Sequence, residues 1–242
     1  MKRELFVLAI CGMMALSTAA SATTITLGFD SLPSAQGFTF NGWIVRSDWA
    51  GENQSFSVDG EMLHQDTTGI GAPDGIVGGN YWMPSNLSSS STFSLSVRAR
   101  VTDFQAYRTA FDFGFGFWVQ NGDKSAAFSI TPTAVSRLNN SNLPVQVSIS
   151  DNASFHDYIM DGSFANGTWS LSRDGVSLGT WNYTLASSDR VIFGDSASYS
   201  NAAGDISSFS YTYSSVPEPS SILALLCGMG GFGGMIWKRR SA

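Results

Sequence analysis

Residues able to do acid–base or nucleophilic work are few in this chain, and their positions limit the chemistry. His64, in Leu63-His64-Gln65-Asp66, and His156, beside Asp157, are the only histidines. Neither has a second histidine at the spacing that would grip a metal. Each can serve as a base, although a lone histidine more commonly satisfies a polar position on a strand. Glu52 and Glu61 are the only glutamates between residues 23 and 215 and stand nine residues apart. Glycoside hydrolysis needs two carboxylates at close separation, one as nucleophile or base and one as acid. The phenylalanine-rich run 111–119 offers one carboxylate, Asp112. There is no Gly-x-Ser-x-Gly elbow and no phosphate-cradling glycine loop. Both cysteines, Cys11 and Cys227, lie in the hydrophobic ends, so the middle has no disulfide, zinc-thiolate site or cysteine nucleophile. The expectation is a protein that is not an enzyme.

Binding chemistry is better represented. Sugar C–H faces stack on aromatic rings while sugar hydroxyls need short polar partners. The stretch Ala72-Pro73-Asp74-Gly75-Ile76-Val77-Gly78-Gly79-Asn80-Tyr81-Trp82 holds Asp74, Asn80, Tyr81 and Trp82 among glycines, in a loop and the strand after it. A second set is Trp43, Asp48 and Trp49. Asp30 and Asp205, near the first and last strands, could share a calcium ion if those strands are neighbours, although no linear calcium-loop spacing supports one. Five of the 13 basic and two of the 19 acidic residues lie in the ends, which leaves eight against 17 and a net charge of −9 for residues 23–215. That sign repels nucleic acid and anionic headgroups but is compatible with glycans and cations.

The elements that must position these residues read as strands throughout. In Phe93-Ser94-Leu95-Ser96-Val97-Arg98-Ala99-Arg100-Val101, apolar residues alternate with Ser and Arg, so one face lies on a core and the other is wet. In residues 111–119 four phenylalanines at period two make a dense core face, with Asp112, Gly114, Gly116 and Trp118 opposite. Glycines on the open face of a strand allow something to approach the backbone closely. Asp174-Gly175 is a favoured hairpin turn between residues 169–173 and 176–178. Further strands fit 25–29, 37–45, 54–66, 126–138, 145–150, 155–161, 190–194 and 206–213, and no segment has a convincing helical period. About a dozen strands in this length predict an antiparallel sandwich or barrel. The order Phe155-His156-Asp157-Tyr158, the 169–178 hairpin, Arg190-Val191-Ile192-Phe193-Gly194-Asp195 and Asp205-Ile206-Ser207-Ser208-Phe209-Ser210-Tyr211 resembles concanavalin A-like and laminin G-like jelly rolls. The resemblance implies an all-β, two-sheet jelly-roll sandwich, with glycan binding on the concave face or rim and sometimes calcium. It does not extend to the Glu-x-Asp-x-x-Glu strand of laminarinase-type members, which is absent.

The two ends are of another kind. Lys2 and Arg3, an apolar run from Leu5 to Leu16, and Ala20-Ser21-Ala22 have the order of a signal peptide, with cleavage by signal peptidase expected before Thr23. From Ile222 to Trp237 the chain is again apolar, rich in glycine, and followed by Lys238, Arg239 and Arg240. That is short for a permanent span and carries the cations of a membrane stop. Before it stands Val216-Pro217-Glu218-Pro219. This motif, the apolar helix and the basic end together resemble the PEP-CTERM sorting signal. The resemblance implies a Gram-negative host, processing by an exosortase-type membrane transpeptidase, a transient membrane anchor, and delivery to the cell surface or extracellular matrix. The expected organisation is a signal peptide (1–22), a β-sandwich ectodomain (23–215) and a sorting tail (216–242). The leading expectation for the sandwich is a non-catalytic module binding glycan or exopolysaccharide. The alternatives are a structural matrix or biofilm protein without a small ligand, and a carbohydrate-active enzyme.

Overall fold

The computed structural model describes residues 22–44, 51–68, 77–89, 91–106, 115–139, 144–149, 151–195 and 200–214. Ala20, Trp49, Asp74, the Val216–Pro219 motif and both apolar end segments lie outside these residues. Among the described residues no helix is long and apolar enough to cross a membrane.

The described strands are β1 (Ala22–Thr26), β2 (Thr39–Ile44), β3 (Phe56–Val58), β4 (Leu63–Asp66), β5 (Val77–Pro84), β6 (Thr92–Ala106), β7 (Phe115–Asn121) and β8 (Lys124–Ile130). They continue as β9 (Ala134–Leu138), β10 (Pro144–Ile149), β11 (His156–Ser163), β12 (Thr168–Arg173), β13 (Val176–Asn182), β14 (Thr184–Leu185), β15 (Arg190–Asp195) and β16 (Ser200–Ser214). Two short helical turns, a 3-10 turn at Pro33–Gln36 and α1 (Glu52–Ser55), interrupt the described strands. Sheet A runs β13-β12-β11-β6-β16-β4-β3, with β1 also on β16; sheet B runs β10-β9-β8-β7-β15-β5-β2, with β14 on β8. All the pairings are antiparallel. The fold is therefore all-β, two antiparallel sheets enclosing one core.

The alternation read along β6 places its residues as expected. Phe93, Leu95, Val97, Ala99 and Val101 are all buried. Phe115 and Phe117 of β7 are likewise closed to solvent and meet the β6 face across the core. Phe193 of β15 packs against Phe209 of β16, ring centroids 4.7 Å apart, which joins the two sheets at their centre. Buried polar groups tie the layers as well, because each must find a partner away from water. Tyr211 of sheet A donates to the Ser85 carbonyl just after β5 (2.8 Å). The Gln65 side-chain oxygen of sheet A accepts from the Asp195 amide of sheet B (3.0 Å). Burial pushes the Tyr211 hydroxyl well above its ordinary pKa, so it stays a donor.

Two runs expected as single strands are hairpins. Residues 54–66 hold α1, β3 and β4, the two strands turning where Asp59 Oδ1 accepts from the amides of Glu61 (2.9 Å) and Met62 (3.0 Å). An aspartate closing a turn on its own backbone gives no sign in hydrophobic periodicity. Residues 126–138 are split into β8 and β9 in the same way, with the Thr131 amide donating to the Ala134 carbonyl (2.9 Å). The expected turn at Asp174-Gly175 is present between β12 and β13.

Candidate functional site

Register across sheet B lines up one row of outward-facing residues. Thr39 pairs with Trp82, Trp82 with Ile192, Ile192 with Trp118, and Trp118 with Ala127. Leu138 joins the same apolar cluster on this outer face. The next row is short: Asn41, Asn80, Gly194, Gly116, Ser129 and Ser136 pair in sequence. This face of sheet B is thus an apolar ridge beside a low polar strip, and both rows are largely closed to solvent, Leu138 and Ser129 at 1% exposure and Ile192 at 9%, which leaves Trp82 as the accessible aromatic of the cluster.

Gly116 explains how the ridge is held. A Cβ at Gly116 would lie 2.0 Å from Cη2 of Trp118, so the indole lies flat over the glycine backbone. The glycine on the open face of this strand is therefore occupied by the neighbouring side chain of the same strand. Trp118 is only 7% exposed, and Asn80 equally closed. Trp82 is half-buried, and the Arg190 guanidinium stands 6.0 Å from its ring centroid. Arg190 Nε donates to Ser188 Oγ (3.0 Å) and Gln120 Oε1 (3.3 Å), and Ser188 Oγ donates to Gln120 Oε1 (2.5 Å). The accessible corner of the ridge is therefore an indole bordered by a fixed guanidinium, an amide and a hydroxyl.

The residues singled out in the sequence separate here. Asn80 and Trp82 share the outer face of β5. Tyr81, between them, points the other way and is fully buried, its ring 4.6 Å from Phe56 and 5.4 Å from Phe193. Period-two geometry forces this split, so Tyr81 is a core residue and no ligand contact. Arg190, Gln120, Ser188 and Trp118 were not picked out. They come from two parts of the chain, and only the strand pairing brings them to Trp82.

The second polar cluster lies on the outer face of sheet A. His64 Nδ1 contacts Asp205 Oδ1 at 2.6 Å, and His64 Nε2 contacts Asp59 Oδ2 at 3.1 Å. Arg100 Nε donates to Asp205 Oδ2 at 2.5 Å. Burial alone would lower the His64 pKa, but its hydrogen bonds to Asp205 and Asp59 outweigh that and raise it above 6.5. Each ring nitrogen faces a carboxylate oxygen, so both donate when the ring is protonated. His156 is similarly paired, Nδ1 lying 2.7 Å from Asp174 Oδ2. Both histidines thus hydrogen-bond to aspartate side chains.

The same geometry removes the calcium expectation at Asp205. The strands are neighbours as the idea required, since β1 pairs with β16. Both Asp205 oxygens are taken by cationic partners, and Asp30 lies exposed in the bend after β1 and joins neither pair. A calcium ion would have to displace Arg100 and His64. Among the described residues no group of three or more His, Cys, Asp or Glu side chains is placed to hold a metal.

No family model matches the chain, and no curated protein does. Among solved structures it is similar to a carbohydrate esterase of the Shiga toxin-encoding bacteriophage phi24B, at 13% identity over 81% of this chain and 100% of that one, with a TM-score of 0.52. Peanut lectin aligns at 13% identity over 80% of this chain and 98% of that one, TM-score 0.48. A lectin from Bauhinia forficata in complex with GalNAc aligns at 14% identity over 80% and 100%, TM-score 0.45. What the phage esterase shares with this chain, at that identity, is a fold.

Proposed function

We propose that this chain is an exported, non-catalytic carbohydrate-binding protein of the bacterial surface or matrix, with the Trp82 corner of sheet B as its sugar contact. The observation that carries the reading is the half-buried indole of Trp82 bordered by Arg190, Gln120 and Ser188. An indole supplies the stacking face for a sugar ring, and the fixed polar groups beside it match ring hydroxyls. Export and sorting rest on the sequence of the ends: the Lys2–Ala22 signal pattern, the Val216-Pro217-Glu218-Pro219 motif, and the apolar segment closed by Lys238–Arg240. Signal peptidase and an exosortase-type transpeptidase are the partners this implies.

An enzymatic role finds less support. Both ring nitrogens of His64 are engaged by carboxylates, and Glu52 and Glu61 provide no close catalytic pair on one strand. A purely structural matrix role has one observation in its favour, the outer face of sheet A. There Thr24, Thr212, Ser94, Asp161, Ser170 and Thr180 pair across six strands with a single charge among them. Such a neutral, hydroxylated surface suits lateral contact with polymer or with other copies.

The test is a glycan array, including host exopolysaccharide, probed with the full-length protein and with Trp82→Ala. Saturable binding that weakens about tenfold or more in the variant is expected, since loss of one stacking ring costs on the order of 1–3 kcal/mol. Binding unchanged by Trp82→Ala would move the contact elsewhere. No binding to any glycan would leave the matrix role as the better account.

A further inference from the structure

A second groove, on the opposite side of the sandwich from Trp82, has a different chemistry. It opens where the edge of sheet A meets β9 of sheet B, with a volume of about 610 Å³. That lies within the range of small-ligand sites. Arg137 of β9 faces Trp181 of β13 across it, the guanidinium 6.0 Å from the ring centroid, and Thr180, Asn182, Tyr183 and Thr184 complete much of the wall.

Three observations set this groove apart. First, Arg98, Arg100 and Arg173 all have carboxylate partners, and Arg190 is bound to Gln120 and Ser188. Arg137 alone among the described arginines has only a ring beside it. Second, residues 23–215 carry 17 acidic side chains, yet among the described residues none lines the groove. Third, the ring is fixed. A Cβ at Gly179, whose φ is +151°, would lie 2.4 Å from Cζ2 of Trp181, and Trp169 meets the same indole at 5.0 Å. An alanine at 179 would force the indole out of this position.

We infer that the Arg137–Trp181 groove binds an acidic saccharide, a uronic-acid unit whose carboxylate pairs with the Arg137 guanidinium. A guanidinium presents two parallel N–H groups to a carboxylate, a strong and directional pairing that a neutral sugar cannot use. The hydroxyl of Thr180 and the amide of Asn182 suit the remaining sugar oxygens. The groove also continues. Thr168 and Thr180 line both it and a trough of about 500 Å³ on the outer face of sheet A. A chain of several sugars fits the two together, with its acidic unit held at Arg137. The site is separate from the Trp82 corner, and either can fail without the other.

The experiment uses the full-length protein in detergent micelles and two probes, trigalacturonic acid and its fully methyl-esterified form. The two differ only at the carboxyl groups, ionised in one and capped as neutral methyl esters in the other. Isothermal titration is expected to show the free acid binding about tenfold tighter than the ester. Arg137→Gln should bring the ratio close to one, Arg137→Lys should keep part of it, and Trp82→Ala should leave it unchanged. Equal binding of the two probes by the native protein, no binding of either, or a preference that survives Arg137→Gln would each overturn the inference. Thermal melts of the variants, expected to match the native protein, separate loss of the site from loss of the fold.

Discussion

At the scale of single residues, Gly116 is a tightly constrained position. Its missing side chain is the space in which the Trp118 indole lies. Gly116→Ala should push the ring off the sheet and cost about 1–3 kcal/mol, the usual range for overpacking. Denaturant unfolding followed by tryptophan fluorescence would measure both effects, and an unchanged midpoint would refute the packing account. His64 gives a second expectation, with a definite sign. Its pKa is raised in the folded state by Asp205 and Asp59, against the lowering effect of burial. Its contribution to stability is therefore complete below pH 6.5 and is lost as pH rises through the raised value. Asp59 behaves oppositely, because the amides of Glu61 and Met62 and the His64 ring hold its carboxyl below 3.8. Its contribution is present above that value and lost in acid. The melting temperature should fall as pH climbs through the His64 transition, and His64→Gln should flatten that limb while leaving the acid limb largely in place.

At the scale of elements, β6 and β16 form the spine of sheet A. They pair from Ser200↔Ala106 to Ser214↔Thr92, through two irregularities. Amide exchange should be slowest in their shared stretch around Leu95, Val97, Phe209 and Tyr211, which is also the most buried. The edge strand β13, mostly exposed and carrying Val176 at 66% exposure, should exchange earliest among the strands of that sheet. Hydrogen exchange read by mass spectrometry would check the order. β6 is also where the sequence was most legible. Its polar face holds Ser and Arg, so alternation alone identified the inner side. β5 and β7 were harder, because both of their faces carry large apolar groups. Trp82 and Trp118 lie outside while Tyr81 and Phe117 lie inside, and periodicity cannot say which set faces the second sheet. The Arg190–Gln120–Ser188 group was invisible for another reason. Its members are 70 residues apart at the widest, and only the β7–β15 pairing joins them.

At the scale of the whole molecule, the sandwich holds itself together through its core alone. Both cysteines lie at the apolar ends, so a reducing agent should leave the melting temperature of the folded protein unchanged. A shift on reduction would mean that Cys11 and Cys227 are linked and that the ends affect the fold. The charge is unevenly spread as well. One end of the outer face of sheet A carries Arg98, Arg100, His64, Asp157 and Asp205 in mutual pairs, while the Ser- and Thr-rich rows occupy the other. A polymer meeting that face would find its charged half already neutralised and its hydroxyl half open to exchange of hydrogen bonds.

The pairing of Ala22 with Ser214 brings the first and last described residues side by side. A force applied between those two points would peel β1 from β16 one rung at a time, and β1 is mostly exposed, so little would resist. A force entering at Ser214 and resisted by a ligand on the body of the domain would meet a different geometry. β16 is gripped by β6 on one side and by β1 and β4 on the other, and sliding it along its own axis must shear many rungs together. The sandwich is thus weak when opened between Ala22 and Ser214 and strong when dragged along the axis of its last described strand.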